Sequence, residues 1–127
     1  MRLNIDGVEY YSARSMNAFD QLAMARKLGP ALPLIEGLVS KENLEKDKTI
    51  LVIMMLSNLP DDSVDFLVKK CLSVVMRKNG ENKPAAVQTP DGHLLFDDIK
   101  IQALLDITAA VVEENLGDFF RTALSKL

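Results

Sequence analysis

Residues 2–12 read RLNIDGVEYYS, and this stretch decides how the chain begins to fold. An Asp-Gly pair at residues 6–7 separates two short runs of β-prone side chains. Asp-Gly is typical of a two-residue hairpin turn, because both turn positions have to tolerate a positive φ. The stretch therefore predicts a β-hairpin with strands at residues 2–5 and 8–12.

A hairpin of two strands is only marginally stable in water. It therefore has to pack against something else. Two partners remain open from the sequence, the helical remainder of the same chain and a neighbouring chain.

The bulk composition is that of a soluble globular chain. The 127 residues fit one domain, 48% of them are hydrophobic and 26% are charged. A net charge of −3 and the absence of Trp argue against a nucleic-acid partner, which normally meets a basic face or aromatic stacking platforms. The longest apolar run, ILVIMML at residues 50–56, is too short to span a membrane.

The remainder of the chain reads as helical. Apolar side chains recur at helical spacing in several segments, and Gly or Pro residues separate these segments. The predicted helices are residues 16–28, a short one at 31–39, a fully buried one at 49–58, one at 61–78, one from about 97 to 117, and a short terminal one at 118–127. A buried strand is the alternative for residues 49–58, although the Met and Leu side chains there favour a helix. Residues 40–48 are a charged turn or helix start, and residues 79–92 are a loop or a weak hairpin with TPDG at its tip.

These segments together predict a mainly α fold, a small helical domain of about five to six helices with a short N-terminal β-hairpin. The expected organisation is a single domain over residues 1–127, in which a hairpin arm at 1–14 precedes a helical body at 15–127.

The first predicted helix carries a charge among its apolar side chains. Phe19, Leu22 and Ala23 share one face at the spacing that a helix buries, and Arg26 falls on the same face. A charge is costly to bury alone. Arg26 is therefore a packing detail whose head reaches water, half of an ion pair, or a contact for another protein. Ser15 is the candidate cap of this helix.

Side chains that could carry chemistry are few. The chain has one His and one Cys, no paired metal-ligand motif and no glycine-rich phosphate loop, so we expect no cofactor and no metal. Cys71 falls on an apolar helical stripe and is expected to be a buried structural residue. A small cytosolic enzyme that uses His93 with Asp91 or with a distant carboxylate remains an alternative, although no nucleophile motif accompanies it.

Two further features bear on protein binding. Met54 and Met55 fit either a core or an adaptable binding groove, and core packing is the preferred interpretation. Phe119 and Phe120 are adjacent on a predicted helix, so their rings cannot both point the same way, and one of them is a candidate for exposure or partner contact.

Residues 8–34 resemble the tail assembly chaperones of long-tailed bacteriophages and prophages. A β-prone stretch with Tyr10 leads into an N-A-F-x-Q segment, then an A-R-basic-L step, then a proline break. The matching positions in this sequence are Asn17, Ala18, Phe19, Gln21, Ala25, Arg26, Lys27, Leu28 and Pro30.

The resemblance implies a non-enzymatic chaperone. Such proteins bind the tape measure protein, keep it soluble and help to recruit tail tube protein subunits, often through a longer frameshifted form. They act in the host bacterial cytoplasm and are absent from the mature virion. Self-association is expected of a protein that coats a long client. The expected interaction residues are Tyr10, Phe19, Arg26, Leu28, Phe119 and Phe120. The alternative is a bacterial or phage protein-binding adaptor module with an unknown client, which the sequence outside residues 8–34 permits equally well.

Overall fold

The N-terminal hairpin forms as the Asp-Gly pair predicts. The computed structural model describes residues 1–31, 33, 49–78 and 83–125. Strand β1 (Arg2–Ile5) pairs antiparallel with β2 (Val8–Ser12). Asp6 and Gly7 both take a positive φ, of 52° and 82°, which is the conformation that this turn requires.

The hairpin pairs with a third strand, which the sequence did not predict. The prediction of one helix over residues 61–78 was wrong, because helix α3 (Asp61–Leu72) ends early and strand β3 (Val75–Lys78) follows. Strand β3 pairs antiparallel with β2, and a short β4 (Ala85–Ala86) pairs with β3. The sheet order is β1-β2-β3-β4.

The change from helix to strand has a local cause. The hydroxyl of Ser73 donates a hydrogen bond to the carbonyl of Lys70 at 2.6 Å, and so satisfies one of the last carbonyls of α3. Two β-branched residues, Val74 and Val75, come next, and such residues favour a pleated strand. Strand β3 then forms backbone hydrogen bonds with the edge of β2 that does not face β1.

The other helices depart from the prediction mainly at their ends. Helix α1 is Ala18–Leu28, followed by a 3-10 turn at Gly29–Ala31, and α2 is Thr49–Ser57. The short helix expected at 31–39 and the charged stretch at 40–48 lie outside the described residues, apart from residues 31 and 33.

A single long helix closes the chain. Helix α4 is Ile101–Leu124, so Gly117 does not end a helix, and no separate terminal helix begins at 118. Leu116 and Phe120, on either side of the glycine, are both buried. Their burial keeps the segment helical, because tertiary packing outweighs the low helix propensity of one glycine.

The described residues therefore form a mixed α/β fold. Four α-helices accompany a four-stranded antiparallel sheet in this part of the chain. The prediction of a mainly α domain with five to six helices and only a hairpin was wrong.

Helix α4 is the centre of the packing. It contacts α1, α2 and α3, and its Ile107, Val111 and Val112 are buried. Two hydrogen bonds tie the end of the hairpin to the same helix. The hydroxyl of Ser12 donates to Glu114 at 2.7 Å, and the backbone N–H of Met16 donates to Asn115 at 3.0 Å.

The segment before α4 was predicted to be either a loop or a weak hairpin, and its described part contains a weak hairpin. The backbone N–H of Thr89 donates to the carbonyl of His93 at 2.8 Å, and Gln88 forms an isolated antiparallel β-bridge with Leu94. The TPDG sequence forms its tip, where Gly92 has a φ of 91°.

Candidate protein-interaction surfaces

Helix α1 turns its predicted core stripe to the solvent. Asn17, not Ser15, caps the helix, since its side-chain oxygen accepts the backbone N–H of Asp20 at 2.8 Å. Met24 and Leu28 fill the interior instead. The interpretation of the Phe19 stripe as a buried face was therefore wrong.

The exposed stripe is apolar apart from its last member. Phe19 is 84% exposed, Leu22 is 58% exposed, and Arg26 lies one turn further along the same face. We call Phe19, Leu22 and Arg26 the α1 stripe. No ion pair or ring contact of Arg26 occurs among the described residues. Arg26 is therefore not half of an ion pair among the described residues, and two interpretations remain, a packing detail whose head reaches water and a contact for another protein.

A shallow groove runs beside the α1 stripe, between α1 and the last third of α4. Its volume is about 200 Å³, and it is lined by Ala18, Gln21, Leu22, Ala25, Leu116 and Phe119. Phe119 is 57% exposed, whereas the neighbouring Phe120 is buried, with the two ring centroids 5.3 Å apart. One ring of this pair is thus at the surface.

The remaining predicted interaction residues lie in the interior. Tyr10, Leu28 and Phe120 are all buried in the hydrophobic core of the described chain. Any part they take in binding is through the shape of the surface above them. Phe119 shares a groove with Leu22 of the α1 stripe, whereas Arg26 lines a different pocket together with Phe66 of α3.

A second and larger groove lies between α2, α3 and the start of α4, and the sequence analysis did not find it. Its volume is about 540 Å³, and we call it the α2–α4 groove. Its lining residues are Ile53, Leu56, Ser57, Asp61, Val64, Asp65, Ile101 and Leu105.

The surface of this groove is apolar with an acidic edge. Ile53 and Ile101 are exposed, as is Met54, the residue after Ile53, while Met55 is buried. The carboxylates Asp61 and Asp65 are also exposed, and neither has an ion-pair partner among the described residues.

The sequence did carry a signal for this groove. Helix α2 was expected to be buried on every side because it has no polar face. The described helix instead buries Val52 and Met55 and leaves Ile53 and Met54 exposed. A helix that is apolar all round exposes apolar side chains wherever one of its faces reaches the surface.

The two surfaces are well separated. Ile101 begins α4 and Phe119 lies close to its end, which places them about 27 Å apart at 1.5 Å per residue. On α3, Lys70 reaches across to Asp20 of α1 at 3.3 Å, whereas Asp61 and Val64 line the α2–α4 groove. The two surfaces therefore lie towards opposite ends of α4.

The two candidate chemical residues differ in their surroundings, since Cys71 is buried and His93 is exposed. Burial raises the pKa of the Cys71 thiol to about 12, so the reactive thiolate is not populated at neutral pH. His93 is exposed in the TPDG hairpin, with its Nε2 3.4 Å from an oxygen of Asp91. The hydrogen bond from the Thr89 hydroxyl lowers the pKa of Asp91, so this carboxylate already has a partner within the turn.

Two kinds of site are absent from the part of the chain that the structure describes. No group of three or more His, Cys, Asp or Glu side chains there is placed to hold a metal ion. Within the same residues, no helix has both the length and the apolar character needed to cross a bilayer.

Comparison with known proteins extends the resemblance to nearly the whole chain. A family model described as phage tail assembly chaperone protein, TAC, matches residues 6–126. The match spans β2, all four helices and both surfaces, well beyond residues 8–34. No curated protein and no solved structure matches the chain significantly.

Proposed function

This chain belongs to the phage tail assembly chaperone family, and from that premise we propose that it binds the tape measure protein non-enzymatically and keeps it soluble during tail assembly. The observation that carries the proposal is the α2–α4 groove. It is the larger of the two apolar surfaces, and it lies open in the described chain.

The chemistry of the groove suits an amphipathic client helix. Ile53 and Ile101 offer exposed aliphatic surface, and Met54 beside them is an unbranched side chain that adapts to irregular partners. Complete burial of one such side chain contributes about 1.5–3 kcal/mol. A few contacts of this size bind a helix yet allow its release, which a chaperone that leaves its client requires.

The acidic edge of the groove gives the client an orientation. Asp61 and Asp65 stand four residues apart on α3, on one side of the apolar floor. Basic side chains beside the apolar stripe of a client helix would meet these carboxylates. Such pairs at an interface edge add association rate and register more than affinity.

The wider assignments rest on family membership. Tail tube subunits are recruited to the tape measure protein through a longer, frameshifted form of this chain. The chaperone works in the host bacterial cytoplasm and is not retained in the mature virion. Mass spectrometry of infected cells and of purified virions tests both points, because it detects or fails to detect the longer form and any retained chaperone.

Co-expression with the tape measure protein of the same phage genome tests the proposal. We expect soluble tape measure protein with the wild-type chain and mostly insoluble protein with Ile101→Asp. The substitution is well placed for this purpose, since Ile101 is 72% exposed and an Asp in the first turn of a helix is favourable.

Leu95→Asp is the matched control. Leu95 is an exposed leucine in the hairpin before α4 and lines neither groove. It should leave client solubility at the wild-type level. Insoluble tape measure protein with the wild-type chain contradicts the function, and equal solubility with Ile101→Asp contradicts the groove.

A further inference from the structure

The half-buried ring of Phe66, on α3, is the centre of a basic surface that the proposed function does not use. Lys27 of α1 and Lys70 of α3 each place their Nζ atom 5.8 Å from the centroid of this ring. Both ammonium groups are attracted by the quadrupole of the same ring. Two like charges are thus held beside one aromatic side chain.

Two pockets meet at Phe66. One, of about 380 Å³, lies towards α1 and is lined by Arg26 and Lys27. The other, of about 310 Å³, lies towards the TPDG hairpin and is lined by Lys69 and Lys70. We call Phe66 and the four cations around it, Arg26, Lys27, Lys69 and Lys70, the Phe66 patch.

The Phe66 patch is positive on a chain whose net charge is −3. Among the described residues that line the two pockets, four are cations and Asp91 is the one carboxylate. Asp91 already accepts a hydrogen bond within its own turn. Lys70 pairs with Asp20 at 3.3 Å, whereas Arg26 and Lys69 have no ion-pair partner in the described part of the chain. The patch therefore retains uncompensated positive charge.

Helix dipoles explain only part of this arrangement. Arg26 and Lys27 lie in the last turn of α1, and Lys69 and Lys70 lie in the last turn of α3. Cations in a last turn complement the negative end of the helix macrodipole, which accounts for each pair separately. It does not require the basic turns of two helices to meet on one surface. Such a meeting costs repulsion between like charges, which an anionic partner removes.

The Phe66 patch and the α2–α4 groove use different faces of α3. At about 100° per residue, Phe66 and Lys70 lie roughly 140° and 180° around the helix from Asp61, which lines the groove. Asp62 is one turn before Phe66, but it lines neither pocket of the patch and accepts the backbone N–H of Ser63 at 3.0 Å. Helix α3 thus presents carboxylates to one surface and cations to the other.

We propose that the Phe66 patch binds an acidic peptide segment of a partner protein, with Asp or Glu carboxylates paired to Arg26 and Lys69 on either side of the ring. The guanidinium of Arg26 presents a planar pair of donors that matches a carboxylate. The exposed edge of Phe66 offers a contact for an apolar side chain between the two carboxylates. The inference goes beyond the proposed function, because it concerns another surface and a partner of opposite charge.

The patch fits carboxylates better than nucleic acid. Proteins that bind single strands stack bases on open aromatic faces. Phe66 is half-buried and two lysines already lie over its ring, which leaves a base little room to stack. The negative net charge of the whole chain also opposes a long phosphate backbone more than it opposes a short peptide.

Fluorescence anisotropy with a defined peptide tests the proposal. The probe is a fluorescein-labelled hexapeptide of four glutamates and two leucines, and its reference has glutamines in place of the glutamates. The wild-type chain should bind the glutamate peptide at least about tenfold more tightly than the glutamine peptide, and less tightly as salt is added. Equal binding of the two peptides, or no binding of either, overturns the proposal.

Charge reversal locates the binding. The double variant Arg26→Glu/Lys69→Glu should weaken binding of the glutamate peptide about tenfold or more. Both side chains are exposed, so its thermal transition should match that of the wild-type chain. The control is Arg14→Glu/Lys83→Glu, which makes the same change in net charge at two exposed cations that line neither pocket. An equal loss of binding in both double variants overturns the proposal, because net charge rather than the patch would then decide binding.

Amide chemical shifts of the wild-type chain give a measurement that needs no variant. Titration with the glutamate peptide should shift the amide resonances of Phe66, Lys69 and Gly92 most, because these residues line the patch pockets. Largest shifts in α2 or β1 overturn the assignment of the surface. A labelled oligouridine that binds more tightly than the glutamate peptide overturns the choice of a protein partner.

The co-expression assay separates this inference from the proposed function. Arg26→Glu/Lys69→Glu should solubilise the tape measure protein as the wild-type chain does, and Ile101→Asp should bind the glutamate peptide as the wild-type chain does. If the patch variant fails to solubilise and the wild-type chain does not bind the peptide, the client itself occupies this surface and the proposal is wrong. Peptide binding without solubilisation by the wild-type chain contradicts the proposed function alone.

Discussion

Arg77 is the residue on which the sheet and the start of α4 converge. Its side chain is only 8% exposed, and its guanidinium stacks on Phe96 at 4.2 Å from the ring centroid. Two nitrogens of the guanidinium donate to the two carboxylate oxygens of Asp98, at 2.6 and 2.8 Å. Because Arg77 is on β3 and Asp98 precedes α4, this pair fixes the sheet against the central helix.

We expect Arg77→Lys to lower the free energy of unfolding by on the order of 2 kcal/mol. A lysine keeps the charge but cannot make the two parallel hydrogen bonds or stack flat on Phe96. Urea denaturation measures the change, with Arg14→Lys as the exposed control. A loss in Arg77→Lys no greater than that of the control contradicts the role assigned to the guanidinium.

The same pair predicts a pH dependence. The hydrogen bonds from Arg77 lower the pKa of the Asp98 carboxyl below its ordinary value, so the folded state binds a proton there less readily than the unfolded state. This contribution to stability is complete above the unfolded pKa of about 3.9 and is lost as the pH falls through the lower folded value.

Stability in a pH series should therefore fall less steeply below about pH 4 in Asp98→Asn than in the wild-type chain. Denaturant midpoints measured from pH 7 downward compare the two. Parallel curves would show that Asp98 has the same pKa in the folded and unfolded states.

At the scale of the element, the sequence predicted the hairpin, α1 and α2 closely, but it missed β3 and β4 and divided α4 into two helices. The Asp-Gly turn was found because its positive φ values demand particular residues. Strand β3 was missed because Val75 and Met76 extend the apolar stripe of α3 at helical spacing. The pairing that makes these residues a strand is with β2, more than sixty residues earlier, and no local pattern reports it.

Gly117 gives a test of the long α4. Substitution to Ala should stabilise the protein by about 0.5–1 kcal/mol, because a glycine inside a helix costs roughly that much relative to alanine. The added Cβ would meet the carboxylate end of the half-buried Glu113 at 2.7 Å, so that side chain has to move aside. Thermal unfolding measures the effect. A lower midpoint in Gly117→Ala would mean that Glu113 cannot move aside from its contact with Arg121.

At the scale of the molecule, the sheet makes the N-terminus part of the central fold. Strand β2 lies between β1 and β3, and its Tyr10 is buried beside Arg77, to which its hydroxyl is 3.4 Å away. The single domain over residues 1–127 stays a prediction, as does the division into an arm and a body. Removal of residues 1–14 tests both.

We expect the truncated chain to lose its cooperative thermal transition, since β3 becomes an exposed strand and the core loses Tyr10. Circular dichroism on heating measures this. A truncated chain that melts as cooperatively as the full chain would show that the hairpin is a separable arm.

The surfaces could be predicted from sequence only in part. Periodicity grouped Phe19, Leu22 and Arg26 on one face correctly, but it could not tell whether that face points inward, because Met24 and Leu28 form an equally good stripe on the other side. The α2–α4 groove joins three helices, and its existence depends on how they pack rather than on any one of them.

Hydrogen exchange of the chaperone, alone and in complex with the tape measure protein, is the most direct test of client binding in the α2–α4 groove. The account predicts slower exchange on complex formation in α2 and in the first turns of α4, where Ile53 and Ile101 line the groove. Unchanged exchange in both elements, with protection only along α1, would contradict it.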